Sequence, residues 1–205
     1  MKYHPPSNHI YYEDSDIPIN KKEIKDAQVI HELERSLLLQ SYEYFHTTLN
    51  EEIQFNEEYF KEIHRHLFSN LYDWAGVYRN VNISKGDSMF CPSMYLDSFS
   101  KEIFEKLAGD NYLRDYEDIS KKILFAKKLA FYTCELLVLH PFNEGNGRSL
   151  RLFIDMIATY NGYDYIDYDE SLNDEAYILA SIECMQTNCD LMEKIIFQGL
   201  QKASS

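Results

Sequence analysis

A chain of 205 residues with 45% hydrophobic composition is long enough to bury a substantial core as one domain, alone or with a small appendage. Its formal net charge of -14 makes it a poor partner for nucleic acid or anionic lipid, which clustered Lys and Arg bind, so any phosphate site must be built locally from a few cations. No run is apolar for the roughly 18 residues of a membrane span, and residues 1–16 are too polar for a signal peptide.

The 4 cysteines, Cys91, Cys134, Cys184 and Cys189, form no C-x-x-C pair and no cluster with histidine at zinc spacing. They read as free, small apolar thiols, which fits a reducing compartment. The 17 tyrosines exceed ordinary usage, and nothing in the pattern explains them beyond the suitability of Tyr for half-buried positions.

Residues 1–21, with Pro5, Pro6 and Pro18, read as an irregular arm ahead of a domain over 22–205. From Lys22 to His46, Ile24, Ala27, Ile30, Leu33 and Leu37 recur at helical spacing, and Phe60, Ile63 and Leu67 do the same over Glu57–Phe68. His64 and His66, two apart on that second helix, diverge and read as solvent-facing. Val81 and Ile83 then alternate with polar residues, and Ser84-Lys85-Gly86-Asp87-Ser88 is a turn before Met89 and Phe90; this predicts one short β-hairpin. Further helices are predicted over 96–108, over 121–139, from about Gly147 to Tyr160, and over 174–201 with a break at Asn188-Cys189-Asp190. The 121–139 helix is apolar on all sides toward its end, as a central bundle helix is, and should stop at His140, because Pro141 follows. The fold class predicted is all-α, a helical bundle with one small hairpin.

The chemistry concentrates in His140-Pro141-Phe142-Asn143-Glu144-Gly145-Asn146-Gly147-Arg148-Ser149-Leu150-Arg151. Gly145 and Gly147 flank Asn146 where a helix begins, so open backbone N–H groups and the positive helix end form an anion nest. Arg148 and Arg151, three apart, project from the first helical turns and suit a polyphosphate. Glu144 beside phosphates is the arrangement that holds Mg²⁺. His140 titrates near neutrality and is the candidate general base. Taken singly, each of these residues is more often structural or merely solvated; together they read as a phosphate site with a base.

This segment matches the Fic motif, H-P-F-x-[DE]-G-N-G-R-x-x-R, at every specified position, and the chain resembles that family. Leu71-Tyr72-Asp73-Trp74-Ala75-Gly76 with Arg79 is similar to the family's approach to its flap, and the hairpin Ile83–Phe90 is similar to the flap itself. The resemblance implies a core over about 55–165 and a flap over about 78–91. It implies transfer of AMP from ATP to a Tyr, Ser or Thr hydroxyl of a target protein. His140 would take the hydroxyl proton, Glu144 would bind Mg²⁺, Gly145, Asn146 and Gly147 would cradle phosphate, Arg148 would neutralise pyrophosphate, and Arg151 would hold the terminal phosphate. Ile83, Ser84, Lys85, Gly86, Met89 and Phe90 would dock the target as an added strand. Gly147 favours AMP transfer over the phosphorylation done by the related Doc toxins, which carry Lys there. A kinase, a phosphocholine transferase or a non-catalytic interaction module on the same scaffold are the alternatives.

Many Fic proteins are restrained by a helix bearing [ST]-x-x-x-E-[GN], whose Glu pairs with the second motif arginine, here Arg151. Thr47-x-x-x-Glu51 is followed by Glu52 and Ser171-x-x-x-Glu175 by Ala176, so neither fits, although Thr47 lies where one subclass places that helix. The resemblance to short bacterial Fic toxins therefore implies a separate small helical antitoxin that supplies the glutamate. It also implies DNA gyrase or topoisomerase IV as target and a bacterial cytoplasmic location, with delivery into a host cell as an open alternative.

Overall fold

The computed structural model describes residues 10–86 and 88–203. Pro5 and Pro6 of the expected arm, and Asp87 of the expected turn, lie outside the described residues. Residues 10–20 fold back on themselves through an antiparallel bridge between Tyr11 and Pro18, and Ile17 enters the core.

Helix α1 spans Ala27–Thr48 and is capped by Asp26, whose carboxylate accepts the N–H groups of Gln28 and Val29 at 2.9 and 3.0 Å. It starts later than the apolar spacing predicts. Asn20 explains this: its side chain takes the Ile24 N–H at 3.0 Å and donates to the Ile24 carbonyl at 2.8 Å, closing residues 20–24 into a loop. Helix α2 occupies Glu57–Phe68 as predicted, with Asn56 capping the N–H of Tyr59.

The hairpin is reduced to β1 (Ser84–Lys85) and β2 (Ser88–Met89), paired antiparallel with Ser84 opposite Met89. Helix α3 covers Leu96–Gly109, α4 Lys122–Leu139 and α5 Asn146–Tyr160. The predicted last segment, 174–201 with a break at Asn188-Cys189-Asp190, holds α7 (Ala176–Cys184) and α8 (Asp190–Gly199) with the break just ahead of α8, and a short helix that was not predicted, α6 (Asp169–Asn173), precedes them. Left-handed backbone at Glu175 and at Thr187 breaks the run on both sides of α7.

Helices α4 and α5 form the centre. Helix α4 packs against α3, α5, α7 and α8, while α5 packs against α1 and α2. Leu152–Ala158 of α5 are all buried, and Phe55, Phe60, Phe104 and Phe153 meet edge-on or tilted between α5, α2 and α3. The expectation of a mostly helical chain with one small antiparallel hairpin is met. No helix among the described residues is long and apolar enough to cross a membrane.

The thiol expectation is corrected at two positions. Cys134 of α4 and Cys184 of α7 form a disulfide across a sequence separation of 50; their proximity arises only when the helices pack, and spacing in sequence carries no sign of it. Cys91 and Cys189 are free. A disulfide closing a loop of this length contributes about 2–4 kcal/mol through the unfolded state. Cys184→Ala, or addition of reductant, should therefore lower the urea unfolding midpoint measurably; identical midpoints with and without reductant would contradict the pairing.

Candidate active site

The loop between α4 and α5 is set by a forced chain reversal. Pro141 disfavours helical geometry at His140, and His140 takes the left-handed conformation (φ 44°, ψ 59°) while its N–H still bonds the Leu136 carbonyl at 3.1 Å. Arg79, which is buried, holds this reversal. Its Nε donates to the His140 carbonyl at 2.8 Å, and its Nη atoms donate to the carbonyls of Val81 (2.7 Å) and Cys91 (2.6 Å). Its own N–H donates to the Pro141 carbonyl at 2.8 Å. The guanidinium thus sits at the negative end of α4 and ties the base of the hairpin to the loop.

The His140 ring stacks on Phe90 from the hairpin, centroids 3.7 Å apart and planes 13° off parallel. Its Nδ1 lies 3.2 Å from the Leu137 carbonyl. A carbonyl only accepts, so this contact assigns the proton to Nδ1 and the lone pair to Nε2. The expectation that His140 titrates near neutrality is corrected: burial pushes the imidazole down to about 3, and the nearby Arg79 and Lys85 charges act in the same direction against the carbonyl's pull.

Gly145 is left-handed (φ +75°), and a Cβ there would lie 2.3 Å from the Phe68 ring, so only glycine fits. The first intrahelical bond of α5 is from Ser149 N–H to the Gly145 carbonyl at 3.1 Å, which places the N–H groups of Asn146, Gly147 and Arg148 ahead of any helical acceptor. The Asn146 side chain is committed elsewhere: it bonds both the N–H and the carbonyl of Phe142, each at 2.8 Å, and locks the loop. Only its backbone is left to the nest. At Gly147 an added Cβ would sit in ordinary van der Waals contact with the Arg151 guanidinium at 3.6 Å.

Glu144 is half-buried, and its carboxylate accepts from the Tyr11 hydroxyl and from the Gly145 N–H. Burial raises its carboxyl pKa, which those two hydrogen bonds and the Arg148 charge oppose. Arg148 pairs with Glu34 of α1 at 2.8 Å and lies over the Phe68 ring at 4.7 Å. Arg151 turns toward α7, 5.6 Å from the Tyr177 ring centroid. The two arginines therefore flank the nest rather than share one set of neighbours.

The hairpin residues divide. Ile83 and Phe90 are buried, whereas Lys85 and Gly86 are exposed and Met89 is 70% exposed. The expectation for the histidines of α2 is corrected. His64 is fully buried beneath the loop, and His66 is half-buried with Nδ1 2.9 Å from the Ser41 hydroxyl. A helix packed on several sides at once offers no solvent face at position 64. Glu34, Tyr11 and His64 join the site from segments that carry no motif, and their reach of 80 to 133 residues along the chain left no local signal.

Residues 54–158 match the family model described as Fic/DOC family. The protein adenylyltransferase VbhT of Bartonella schoenbuchensis is 34% identical over 202 residues, 98% of this chain and 41% of that protein. The probable protein adenylyltransferase Fic of Escherichia coli is 38% identical over 103 residues, 50% of each. The chain thus spans about half or less of these curated relatives. The structure of BepC from Bartonella tribocorum with bound AMPPNP superposes with TM-score 0.80 at 22% identity, covering 95% of this chain and 97% of that one, which shows a common fold.

Both buried imidazoles, His64 and His140, are pushed down to about 3, so between there and the ordinary value of 6.5 the native chain binds fewer protons than the unfolded one. Stability from this source is present above pH 6.5 and is lost as pH falls through that window. Ring ¹⁵N shifts should show His140 neutral at pH 5.5; a titration midpoint near 6.5 would contradict the burial.

Proposed function

The chain belongs to the Fic/DOC family, and we propose that it is a protein adenylyltransferase that moves AMP from ATP to a side-chain hydroxyl of another protein. The observation that carries this reading is the His140 tautomer at the mouth of the nest: Nδ1–H is held by Leu137, so Nε2 is the proton acceptor. Nε2 takes the hydroxyl proton as the oxygen attacks the α-phosphorus in line; the bond to pyrophosphate breaks and its charge is met by the N–H nest, Arg148 and Arg151. The Phe90 stack fixes the plane of the ring. Glu144 fits as the ligand of Mg²⁺, being a half-buried carboxylate beside the nest with raised pKa, provided the Tyr11 hydroxyl yields its place. When bound, the metal supplies charge neutralisation between phosphates.

His140→Ala should abolish AMP transfer, measured by intact mass of the modified target, with unchanged folding and Mg-ATP affinity; general-base loss costs about 10² to 10⁴ in rate. Glu144→Gln should act like removal of Mg²⁺ by chelator. Near wild-type turnover by His140→Ala, or full activity in EDTA, sinks the mechanism.

The hairpin is the target dock. Its two short strands leave an edge for backbone pairing, and Lys85 and Met89 are exposed on it. Ile83 is buried and Phe90 carries the His140 stack, so the test belongs at an exposed position. Lys85→Pro removes a backbone donor and should cut target modification while nucleotide affinity holds; an equal loss of ATP binding would assign the hairpin another role.

Restraint comes from a separate helical antitoxin presenting a glutamate to Arg151, which makes the chain the toxin of a pair; the acceptor by resemblance is gyrase or topoisomerase IV. Supporting this, Glu51 and Glu175 are exposed, and among the described residues no ion pair reaches Arg151. Glu34 engages Arg148 instead. The isolated chain should be active, and Glu34→Gln should change its rate little; a rise of tenfold or more would place the inhibitor inside the chain.

A further inference from the structure

His64 lies on α2, outside the motif, yet it joins two loops of the site. Its Nδ1 is 2.8 Å from the Gly76 N–H, and its Nε2 is 2.9 Å from the Glu144 carbonyl. The Gly76 N–H can only donate, so Nδ1 accepts and the ring proton must reside on Nε2, which donates to Glu144. The ring also stacks on Phe142 of the same loop, centroids 3.7 Å apart and planes 18° off parallel. One turn further along α2, Phe68 fills the space beside Gly145 and underlies Arg148.

The consequence follows from peptide geometry. The Glu144–Gly145 peptide is trans, so its carbonyl and its N–H point in opposite directions. Holding the carbonyl toward α2 turns the Gly145 N–H away from α2, where it meets the Glu144 carboxylate at 3.3 Å. One functional group is aimed by this plane: the Glu144 carboxylate, which the Gly145 N–H steadies at the entrance to the nest.

We propose that His64 is a positioning residue for the metal–nucleotide complex: by fixing the Glu144–Gly145 peptide plane it orients the Glu144 carboxylate beside the nest. This rests on the adenylyltransferase reading for the identity of the ligand, though not for the geometry. Groups that orient a metal-binding carboxylate through its neighbours typically matter by about 10- to 100-fold in affinity or activity.

The test uses the full chain and two variants. His64→Phe keeps a ring against Phe142 and removes both hydrogen bonds; His64→Gln restores an N–H donor toward Glu144. Calorimetry with the Mg²⁺ complex of a non-hydrolysable ATP analogue should show His64→Phe weakened about 10- to 100-fold and His64→Gln recovering most of the loss. The KM for the target protein should stay unchanged in both. Wild-type affinity in His64→Phe, or equal loss in His64→Gln and His64→Phe, overturns the proposal. A second measurement needs no variant: the ring ¹⁵N spectrum of the unmodified chain should show the Nε2–H tautomer for His64, and the Nδ1–H tautomer overturns the proposal even if His64→Phe does not fold. Failure of the unmodified chain to bind the nucleotide would sink the adenylyltransferase reading, and the tautomer would still decide the role of His64.

Discussion

One buried guanidinium governs the geometry of this protein. Arg79 has left water, and it is satisfied by the carbonyls of Val81, Cys91 and His140 together with the end of α4. A buried charge is tolerable only with such a complete set of acceptors. The left-handed turn at His140 supplies one of them, and the hairpin supplies two more. Loss of the turn would orphan the charge, and loss of the charge would release the turn. That mutual dependence keeps the His140 ring against Phe90 and holds the loop in the shape that starts α5 as a nest.

The acidic composition creates a second problem that the fold solves with tyrosine. Carboxylates of Glu34, Asp110, Glu144 and Asp155 all accept a phenol proton, from Tyr72, Tyr132, Tyr11 and Tyr42 respectively. At Glu34 and Asp110 the phenol joins a cation, Arg148 and Lys128 respectively, whereas at Glu144 and Asp155 it donates where no ion pair is formed among the described residues, and its ring contributes apolar area at the same place. The chain has 34 acidic and only 20 basic residues, so such neutral donors are of use to it. It also gives a physical use for four of the 17 tyrosines, which composition alone does not explain.

The parts of this account legible in the sequence are those encoded locally. The apolar period of α2, the end of α4 before Pro141 and the run from Glu144 to Arg151 each carry their signal within a few turns of chain. What was hidden is what only packing brings together. His64 belongs to a helix whose pattern puts it among polar neighbours, and it is the loop from far along the chain that buries it. The Cys134–Cys184 pair and the Glu34–Arg148 pair are of the same kind. Helix α1 starts later than its apolar period for a different reason: an Asn20 side chain competes with the helix for the backbone of Ile24, and periodicity does not register such competition.

The central claim is that a neutral His140 and the nest of α5 direct a hydroxyl to the α-phosphorus rather than to the γ-phosphorus. It is tested most directly by incubating the chain with a protein acceptor and ATP labelled at one phosphate or the other. Label from the α-position should enter the acceptor and label from the γ-position should leave as pyrophosphate. Transfer of the γ-label to protein, with none from the α-position, would contradict the account and make the chain a kinase on the same scaffold.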